Sequence, residues 1–381
     1  MIKIGITGQA GFVGTHLFNT IGLYPGKFVR IPFEDVFFSE GKKLIEFVQK
    51  CDVIVHLAAM NRHTNSEILY QTNINLIKRL ISACESNNST PYILFSSSTQ
   101  EELDNMYGKS KKEGRQLFEH WSIKNNAKFT GLVIPNVFGP FGNPFYNSVV
   151  ATFCHQLTHN EHPKIEVDGN IKLIYVGELV QYILEMILNY YTTDILTNVI
   201  SSETIFVPHT IEIKVSTLLY KLNSLKEHYF TKGEIPALDS KFHLNLFNTF
   251  LTYIDYHSFY PFKLRLNNDE RGSFFETVKL NSGGQVSFST TFPGKTRGNH
   301  FHTRKAERFV VIKGKAKIEL RRIGTNNIIS INIDGNAPSF VDIPIWYTHN
   351  ITNIGEVELY TIFWSNEHFD ADDLDTYFEQ V

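Results

Sequence analysis

The sequence predicts an α/β protein in two parts: an N-terminal doubly wound Rossmann domain and a C-terminal all-β barrel. Short apolar runs alternate with helical patterns from residue 1 to about residue 136, as expected for parallel strands joined by crossover helices. From about residue 261 to residue 364, short alternating strands separated by Gly and Asn replace the helical pattern. A stretch of this kind suits a closed antiparallel barrel or jelly roll. We therefore expect domains at residues 1–258 and 259–381.

Composition narrows the range of partners and compartments. The net charge is −3 and there is no basic block, so we expect no nucleic-acid partner. Three widely spaced cysteines, Cys51, Cys84 and Cys154, are typical of buried free thiols in a reducing compartment. The chain opens on a strand without a signal-peptide core, and it has no apolar run of the roughly 18 residues that span a membrane. We expect a cytoplasmic protein with no membrane contact.

A glycine triplet follows the first strand immediately. Gly8 permits a tight turn, Gly11 lets the backbone approach a pyrophosphate, and Gly14 permits close helix packing. The next residues, Phe12 and Val13, open a helix whose N–H groups and positive dipole end favour phosphate. An ordinary glycine loop is the alternative. Between a strand and a helix, however, this spacing favours a dinucleotide site.

The second strand, residues 27–31, bears on the choice of nicotinamide cofactor. A site that prefers NAD usually has an acidic residue near the end of this strand for the ribose. Arg30 stands there instead and could pair with a 2′-phosphate, so we expect NADPH. A solvated surface arginine is the alternative interpretation.

The third strand and the helix after it provide further cofactor candidates. Three residues at the strand end would let a nucleotide lie against it: Leu57, Ala58 and Ala59. We interpret His56 as a packed strand histidine. In the following helix, Asn73 lies on the apolar face and could tie the loops near the site together; a capped or solvated asparagine is the alternative.

A strand that ends in three serines precedes a Tyr-x-x-x-Lys pair. Tyr107 and Lys111 are one helical turn apart and can reach the same small volume. The neighbouring ammonium favours the phenolate, and a serine hydroxyl can hold a substrate oxygen. The set suits proton transfer to a carbonyl oxygen while hydride reaches its carbon. Alone, this spacing is more often a surface helix.

The glycine triplet, residues 56–59, the serine-ended strand and the Tyr/Lys pair together resemble an extended short-chain dehydrogenase/reductase. The resemblance implies that Tyr107 is the acid/base and that Lys111 is its pKa partner and a ribose ligand. It implies that Ser98 holds the substrate oxygen, with Ser97 as a close second. Asn136 falls in the family's motif that leads to the substrate region, although Val133 stands where the family commonly has arginine.

The same resemblance leaves the reaction type open. Sugar dehydratases of this family have an Asp-Glu pair after the serine or threonine, and this chain has Gln100 and Glu101 there, which counts against dehydration. A sugar 4-epimerase remains possible from this half alone. Asn147, before an apolar helix, is a candidate substrate ligand, and a helix N-cap is the alternative.

The C-terminal part contains a set of metal-ligand residue types. His300 and His302 fall on one face of a strand, Glu307 lies on the adjoining segment, and His349 follows later. Three imidazoles and a carboxylate suit a divalent cation, with zinc favoured over manganese, iron or nickel. The spacing resembles the two cupin motifs, except that Trp346 stands at the usual glycine. A polar barrel lining without metal is the alternative.

A further stretch, residues 269–276, resembles part of the dTDP-sugar 3,5-epimerases, which are cupin-like. Arg271 within it could hold a nucleotide diphosphate. Alternatively, Arg271 and Asp269 pair on a turn.

Domain order and motifs over nearly the whole chain resemble the CapF-type family of capsular polysaccharide biosynthesis enzymes. The resemblance implies a homodimer whose cupin epimerises carbon 3 of a UDP-4-keto-6-deoxy-N-acetylhexosamine. It further implies NADPH-dependent reduction of the carbon-4 ketone, which gives UDP-2-acetamido-2,6-dideoxy-L-talose, a precursor of N-acetyl-L-fucosamine. A non-catalytic NADPH-sensing regulator is the alternative of another class, and the presence of the Tyr/Lys pair counts against it.

Overall fold

The computed structural model describes residues 1–192, 202–270 and 272–381, which form two compact units. The first unit comprises Met1–Val149 and Gly169–Lys214, and the second comprises Val150–Asp168 and Val215–Val381. The second unit therefore includes residues on both sides of residue 258. The domain limits 1–258 and 259–381 stay a prediction.

Strands and helices alternate through the first unit. Its strands are β1 (Ile2–Thr7), β2 (Phe28–Ile31), β3 (Val53–His56), β4 (Tyr92–Ser98), β5 (Phe129–Ile134), β6 (Asn136–Phe138), β7 (Asn170–Tyr175), β8 (Ser202–Phe206) and β9 (Ile211–Lys214). Within the described residues, the α-helices are α1 (Phe12–Gly22), α2 (Gly41–Lys50), α3 (Ser66–Ser86), α4 (Met106–Asn125), α5 (Val149–Thr158), α6 (Val176–Thr192), α7 (Val215–Leu225), α8 (Lys241–Leu251) and α9 (Tyr256–Phe259).

A parallel sheet with the order β2-β1-β3-β4-β5-β8 is the centre of the first unit. Helices cover both faces of this sheet. Successive residues of a strand point to opposite faces, so each strand packs against helices on both sides. In β3, Val53 and Val55 pack in the core with α1 and α6, whereas Ile54 packs with α2, α3 and α4. The predicted doubly wound fold is confirmed. The strand order reverses between β1 and β3, so their C-terminal ends form the crevice where such folds bind ligands.

Two five-stranded antiparallel sheets form the all-β part of the second unit. Their orders are β10-β18-β15-β20-β13 and β17-β16-β19-β14-β21. The predicted all-β part is confirmed. The strands are β10 (Phe262–Lys263), β11 (Asn267–Asp269), β12 (Gly272–Phe274), β13 (Gln285–Thr291), β14 (Thr296–Phe301), β15 (Glu307–Lys313), β16 (Lys315–Arg322), β17 (Ile328–Asp334), β18 (Ser339–Ile343), β19 (Tyr347–Asn353), β20 (Leu359–Ser365) and β21 (Tyr377–Phe378).

A buried ion pair joins the barrel to the segment before it. Arg308 donates two 2.8 Å hydrogen bonds to Asp342, and both residues are almost fully buried. Tyr229 also donates to this carboxylate, and Arg308 donates to the carbonyl oxygen of Gly233 at 2.6 Å. The barrel therefore shares its polar core with residues that lie before the predicted domain limit.

The expectations from composition can be compared with the structure at two points. Cys51, Cys84 and Cys154 are buried free thiols, as predicted. Across residues 1–192, 202–270 and 272–381, we find no helix with the length and apolar character needed to cross a bilayer.

Candidate functional site

The glycine-rich turn joins β1 to α1 at the crevice. Gly8 has a φ of +72°, and a Cβ atom there would lie 2.8 Å from the backbone of Ala58. A Cβ atom on Gly14 would lie 2.2 Å from the carbonyl oxygen of Gly8, so that position also requires glycine. Gly11 is the N-cap and has no side chain to cover the helix end. The N–H groups of the first helical residues are too near the helix start to bond within it: Phe12, Val13 and Gly14.

The end of β3 lies beside this turn. The Leu57 N–H donates to the carbonyl oxygen of Thr7 at 3.1 Å, and the Ala58 N–H donates to the Thr7 hydroxyl at 3.5 Å. That hydroxyl also contacts Nδ1 of His56 at 2.8 Å. Burial lowers the pKa of His56 to about 3, so it is a neutral packed histidine. Leu57, Ala58 and Ala59 remain partly exposed at the crevice.

Asn73 on α3 ties the loop after β3 to α4. Its side-chain oxygen accepts from the Met60 N–H at 2.7 Å, and its amide donates to the Met60 carbonyl and to the Ser110 hydroxyl, both at 3.0 Å. Asn73 is buried, so these bonds satisfy its polar atoms. The contacts indicate a scaffold role at the crevice.

The structure does not bring Arg30 to the glycine-rich turn. Its guanidinium lies 4.6 Å from the ring centre of Phe18, in the second half of α1. It also lies against Gly22, the last residue of that helix, where a Cβ atom would be 2.8 Å from its Nη1. The guanidinium therefore packs on α1, and this contact gives no support to a 2′-phosphate contact.

The three serines at the end of β4 have different partners. The Ser96 hydroxyl donates to the carbonyl oxygen of His56 at 3.2 Å. Ser97 is buried and donates its hydroxyl hydrogen to Glu101. Ser98 Oγ accepts from the Gln100 N–H at 3.2 Å, so its own hydrogen is not used in that bond. A hydroxyl has one hydrogen, so Ser98 is better placed than Ser97 to donate to a substrate.

Tyr107 and Lys111 lie together in the first turns of α4. The Lys111 ammonium is 5.2 Å from the ring centre of Phe95 and donates to the Ser96 carbonyl at 2.8 Å. Burial lowers the pKa of Lys111 to about 8. Burial, with a smaller effect of Tyr146, raises the pKa of Tyr107 well above its ordinary value. The pair therefore consists of a protonated phenol and an ammonium close to its titration range.

A loop between β6 and α5 contacts the segment after β3 within the first unit. The Asn61 N–H donates to the Tyr146 hydroxyl at 3.2 Å, and Arg62 donates to the Phe145 carbonyl at 3.0 Å. Asn147 donates to the Asn61 carbonyl at 3.5 Å. Asn147 thus lies in the same region as Tyr146, a residue that contributes to the raised pKa of Tyr107.

Two further substrate ligands were predicted, Asn136 and Arg271. Asn136 is exposed on β6 and donates to the carbonyl oxygen of Lys172 at 3.4 Å. Arg271 lies outside the described residues.

The four predicted metal ligands come together in the barrel. One ligand atom from each of His300, His302, Glu307 and His349 lies within 4.8 Å of the others. Oε2 of Glu307 is 3.3 Å from Nε2 of His302 and 3.1 Å from Nε2 of His349. A bulge between Gly298 and His300 in β14 sets the register that places His300 opposite His349.

Backbone carbonyls orient two of these imidazoles. Nδ1 of His302 donates to the Asp375 carbonyl at 2.5 Å, and Nδ1 of His349 donates to the Tyr347 carbonyl at 3.2 Å. A carbonyl only accepts, so in the neutral rings Nδ1 carries the hydrogen and Nε2 keeps its lone pair. Burial and the two neighbouring histidines lower the pKa of His300 to about 4, which leaves its ring neutral as well.

Trp346 departs from the cupin pattern at a position that needs a special backbone. Its φ is +63°, a region that favours glycine. Two hydrogen bonds hold it: its N–H donates to the His302 carbonyl at 2.8 Å, and its carbonyl accepts from Ile323 at 3.0 Å. The indole is buried and stacks on Phe301 with ring centres 5.6 Å apart. Packing therefore offsets the backbone strain.

Sequence reasoning missed two residues that organise these sites. Arg115 forms an ion pair with Glu101 at 2.7 Å, so the acid that binds Ser97 is itself fixed by α4. Asp375 orients His302 from the C-terminal segment. Neither contact has a local spacing signal: residues 302 and 375 meet only through the fold.

Comparison with known proteins decides the family. Residues 4–197 match the NAD dependent epimerase/dehydratase family, and residues 267–377 match the Polysaccharide biosynthesis C-terminal domain. A UDP-2-acetamido-2,6-beta-L-arabino-hexul-4-ose reductase from Pseudomonas aeruginosa is 32% identical over 380 residues, covering 99% of this chain and 98% of that protein. A crystal structure of the capsular polysaccharide assembling protein CapF from Staphylococcus aureus has a TM-score of 0.60 and 33% identity, covering 99% of this chain and 100% of that one. The chain belongs to the NAD dependent epimerase/dehydratase family and is of the CapF type.

The CapF-type assignment agrees with the order of the two folds. The epimerase/dehydratase match contains the glycine-rich turn and the Tyr107/Lys111 pair, and the C-terminal match contains all four clustered residues of the barrel. The spore coat polysaccharide biosynthesis protein SpsL of Bacillus subtilis is 26% identical over 125 residues, which cover 30% of this chain and 82% of that protein. The resemblance to a CapF-type family, predicted from the motifs, is confirmed.

Proposed function

We propose that this chain is a bifunctional nucleotide-sugar enzyme. It epimerises carbon 3 of a UDP-4-keto-6-deoxy-N-acetylhexosamine and then reduces the carbon-4 ketone, giving UDP-2-acetamido-2,6-dideoxy-L-talose for polysaccharide synthesis. The observation that carries the reductase assignment is the buried Lys111 ammonium beside the Tyr107 ring, in a sheet with a glycine-rich first turn. The Pseudomonas aeruginosa relative, named as a hexul-4-ose reductase, supports it.

Each residue of the crevice has a separate role in the reduction. The glycine-rich turn would hold the pyrophosphate of a nicotinamide dinucleotide, which when bound would supply hydride to carbon 4. Tyr107 donates a proton to the ketone oxygen; its raised pKa keeps the phenol protonated at neutral pH. Ser98 holds the same oxygen with its remaining hydroxyl hydrogen, and Lys111 stabilises the phenolate after the transfer.

NADPH is the proposed reductant. The CapF-type resemblance supports this choice, whereas the position of Arg30 does not. Direct comparison of kcat/KM with NADPH and NADH tests this choice. The variant Arg30→Ala tests separately whether Arg30 contributes to the preference. An unchanged cofactor preference in that variant is expected from the contact between Arg30 and Phe18.

The four-residue cluster of the barrel fits a divalent cation. Nε2 of His302, Nε2 of His349 and Oε2 of Glu307 are buried without hydrogen-bond partners. With hydrogens on both Nδ1 atoms, each Nε2 lone pair faces a carboxylate oxygen, which is unfavourable unless a cation or a proton lies between them. His300 completes a set that suits zinc, and manganese, iron or nickel can bind the same donors.

Epimerisation requires an acidic carbon–hydrogen bond. The hydrogen on carbon 3 is acidic because the adjacent carbon 4 is a ketone, so removing it and returning it to the other face inverts the centre. When bound, a divalent cation would supply Lewis-acid chemistry to the ketone. Two of its proposed ligands are held in one orientation by the Asp375 and Tyr347 carbonyls.

Two variants separate the activities. With a purified UDP-4-keto-6-deoxy-N-acetylhexosamine in deuterated water, Tyr107→Phe should abolish NADPH consumption and leave deuterium incorporation at carbon 3. His302→Ala should lower bound metal by elemental analysis and slow that incorporation. Tyr220→Phe, which changes an exposed tyrosine of α7, is the matched control. Persistent NADPH consumption in Tyr107→Phe would show that Tyr107 is not the proton donor.

Product analysis distinguishes the alternatives. A reductase consumes one NADPH per sugar, whereas a sugar 4-epimerase returns the hydride and consumes none. Binding of NADPH without conversion of the sugar would identify a regulator. We also propose a homodimer, which sedimentation of the purified chain tests.

A further inference from the structure

We propose that Asp375 is a positioning residue of the metal centre, so that the C-terminal segment completes the site. The inference rests on the proposed metal binding and adds a residue that is not a ligand. Asp375 is 4% exposed and has a φ of +40°, an uncommon backbone conformation for a residue with a side chain. That conformation presents its carbonyl and its carboxylate to two different parts of the site.

The carbonyl of Asp375 acts on a ligand directly. It accepts the hydrogen of His302 Nδ1 at 2.5 Å, which selects the tautomer with a lone pair on Nε2 and fixes the plane of the ring. Nε2 then points towards Oε2 of Glu307 at 3.3 Å. Without this acceptor, the imidazole could rotate or take the other tautomer.

The carboxylate of Asp375 fixes the turn that joins His302 to Glu307. Oδ1 accepts the Thr303 N–H at 3.0 Å and the Thr303 hydroxyl at 2.6 Å. Oδ2 accepts the N–H groups of Arg304 at 2.9 Å and Lys305 at 3.1 Å. Charged acceptors form the stronger hydrogen bonds, so one buried carboxylate sets the backbone between two proposed ligands.

The rest of the segment is anchored beside a third ligand. In the pairing of β21 with β14, Phe378 lies opposite His300. Further along, Arg321 forms a 2.8 Å ion pair with Glu379. The segment that carries Asp375 is therefore fixed at its far end, and it adjoins two of the four clustered residues, His302 and His300.

Asp375→Asn tests the role with little change in shape. Asparagine tolerates the left-handed backbone and keeps the carbonyl, but its amide has one acceptor oxygen and brings an NH2 group against N–H donors. Loss of an outer contact of this kind typically weakens metal binding about 10–100-fold. Asp372→Asn is the matched control: it makes the same charge change three residues away, at an exposed side chain.

The experiment measures zinc release from the full-length protein to a chelator, and the visible spectrum after replacement of zinc by cobalt. We expect Asp375→Asn to release zinc at least tenfold faster and to alter the cobalt spectrum, with Asp372→Asn equal to wild type. Thr303→Val, which removes one of the four bonds and no charge, should give a smaller acceleration. If Asp375→Asn folds poorly, Thr303→Val tests the same role of the Asp375 carboxylate.

The outcomes separate the two proposals. Zinc release and cobalt spectra equal to wild type in both Asp375→Asn and Thr303→Val would overturn the role of Asp375, even if Asp375→Asn melts at a lower temperature. A wild-type chain that binds neither zinc nor cobalt would instead overturn the proposed metal centre.

Discussion

The Lys111 ammonium lies 5.6 Å from the centre of the Tyr107 ring. Both side chains come from α4, one turn apart, and Lys111 is only 4% exposed. The ammonium therefore lies beside the phenol at a place where water screens its charge little. Burial also makes that charge harder to keep, because it lowers the pKa of Lys111 to about 8; the charge of Glu101 partly offsets the effect.

The reductase activity should therefore decline as pH rises through about 8, since the Lys111 ammonium then loses its proton. Lys111→Arg stays charged throughout this range, so it should lack the alkaline decline even if its activity is lower. Lys111→Met should be about 100-fold or more slower at every pH, as expected for loss of electrostatic stabilisation. Profiles of kcat from pH 6 to 10 check this. The same decline in Lys111→Arg would assign the titration to another group.

The two candidate serines should differ in their effect on the reaction. Ser98→Ala removes the hydroxyl that is able to donate to the ketone oxygen, so kcat should fall by about 100-fold. Ser97→Ala removes a hydroxyl already bound to Glu101, so kcat should change little. Steady-state kinetics of both variants test the difference. A larger loss of kcat in Ser97→Ala would reverse the assignment.

Most of the site residues predicted from the sequence belong to motifs whose members are close together in the chain. Three motifs lie within a single turn, helix or strand, so the period of that element alone brings their residues close. They are the glycine triplet, the Tyr107/Lys111 pair and the His300/His302 pair. Arg30 shows what a local pattern does not predict. Its guanidinium packs on Phe18 of α1, and that contact depends on how α1 packs beside β2.

Contacts between distant residues could not be predicted in this way. Asp375 meets His302 across 73 positions, and Asp342 meets Arg308 across 34, by pairings that only the barrel creates. Polar residues of this kind look like surface residues in the sequence, because aspartate and arginine are rarely buried unless paired. Their positions follow from the completed sheet order.

The buried pair of the barrel gives a prediction for stability. Asp342→Asn should lower the free energy of unfolding of the second unit by about 3–5 kcal/mol, because it leaves the buried Arg308 charge uncompensated. Replacing both residues by apolar ones of similar size should recover much of the loss. Urea unfolding followed by tryptophan fluorescence measures both. As a control, Glu85→Gln breaks an exposed pair with Lys124 and should cost less than about 1 kcal/mol. Equal effects of Asp342→Asn and Glu85→Gln would contradict the argument.

Trp346→Gly should destabilise the barrel although it restores the residue usual in cupins. Glycine relieves the left-handed backbone at φ +63°, a gain of about 1–2 kcal/mol. It also removes a buried indole that stacks on Phe301, and such truncations cost about 3–5 kcal/mol. The larger effect is the loss of packing, so the midpoint of urea unfolding should fall. The hydrogen bonds that join its backbone to His302 and Ile323 remain in the variant. A midpoint equal to or above that of wild type would mean that the indole stack contributes less than the strain it offsets.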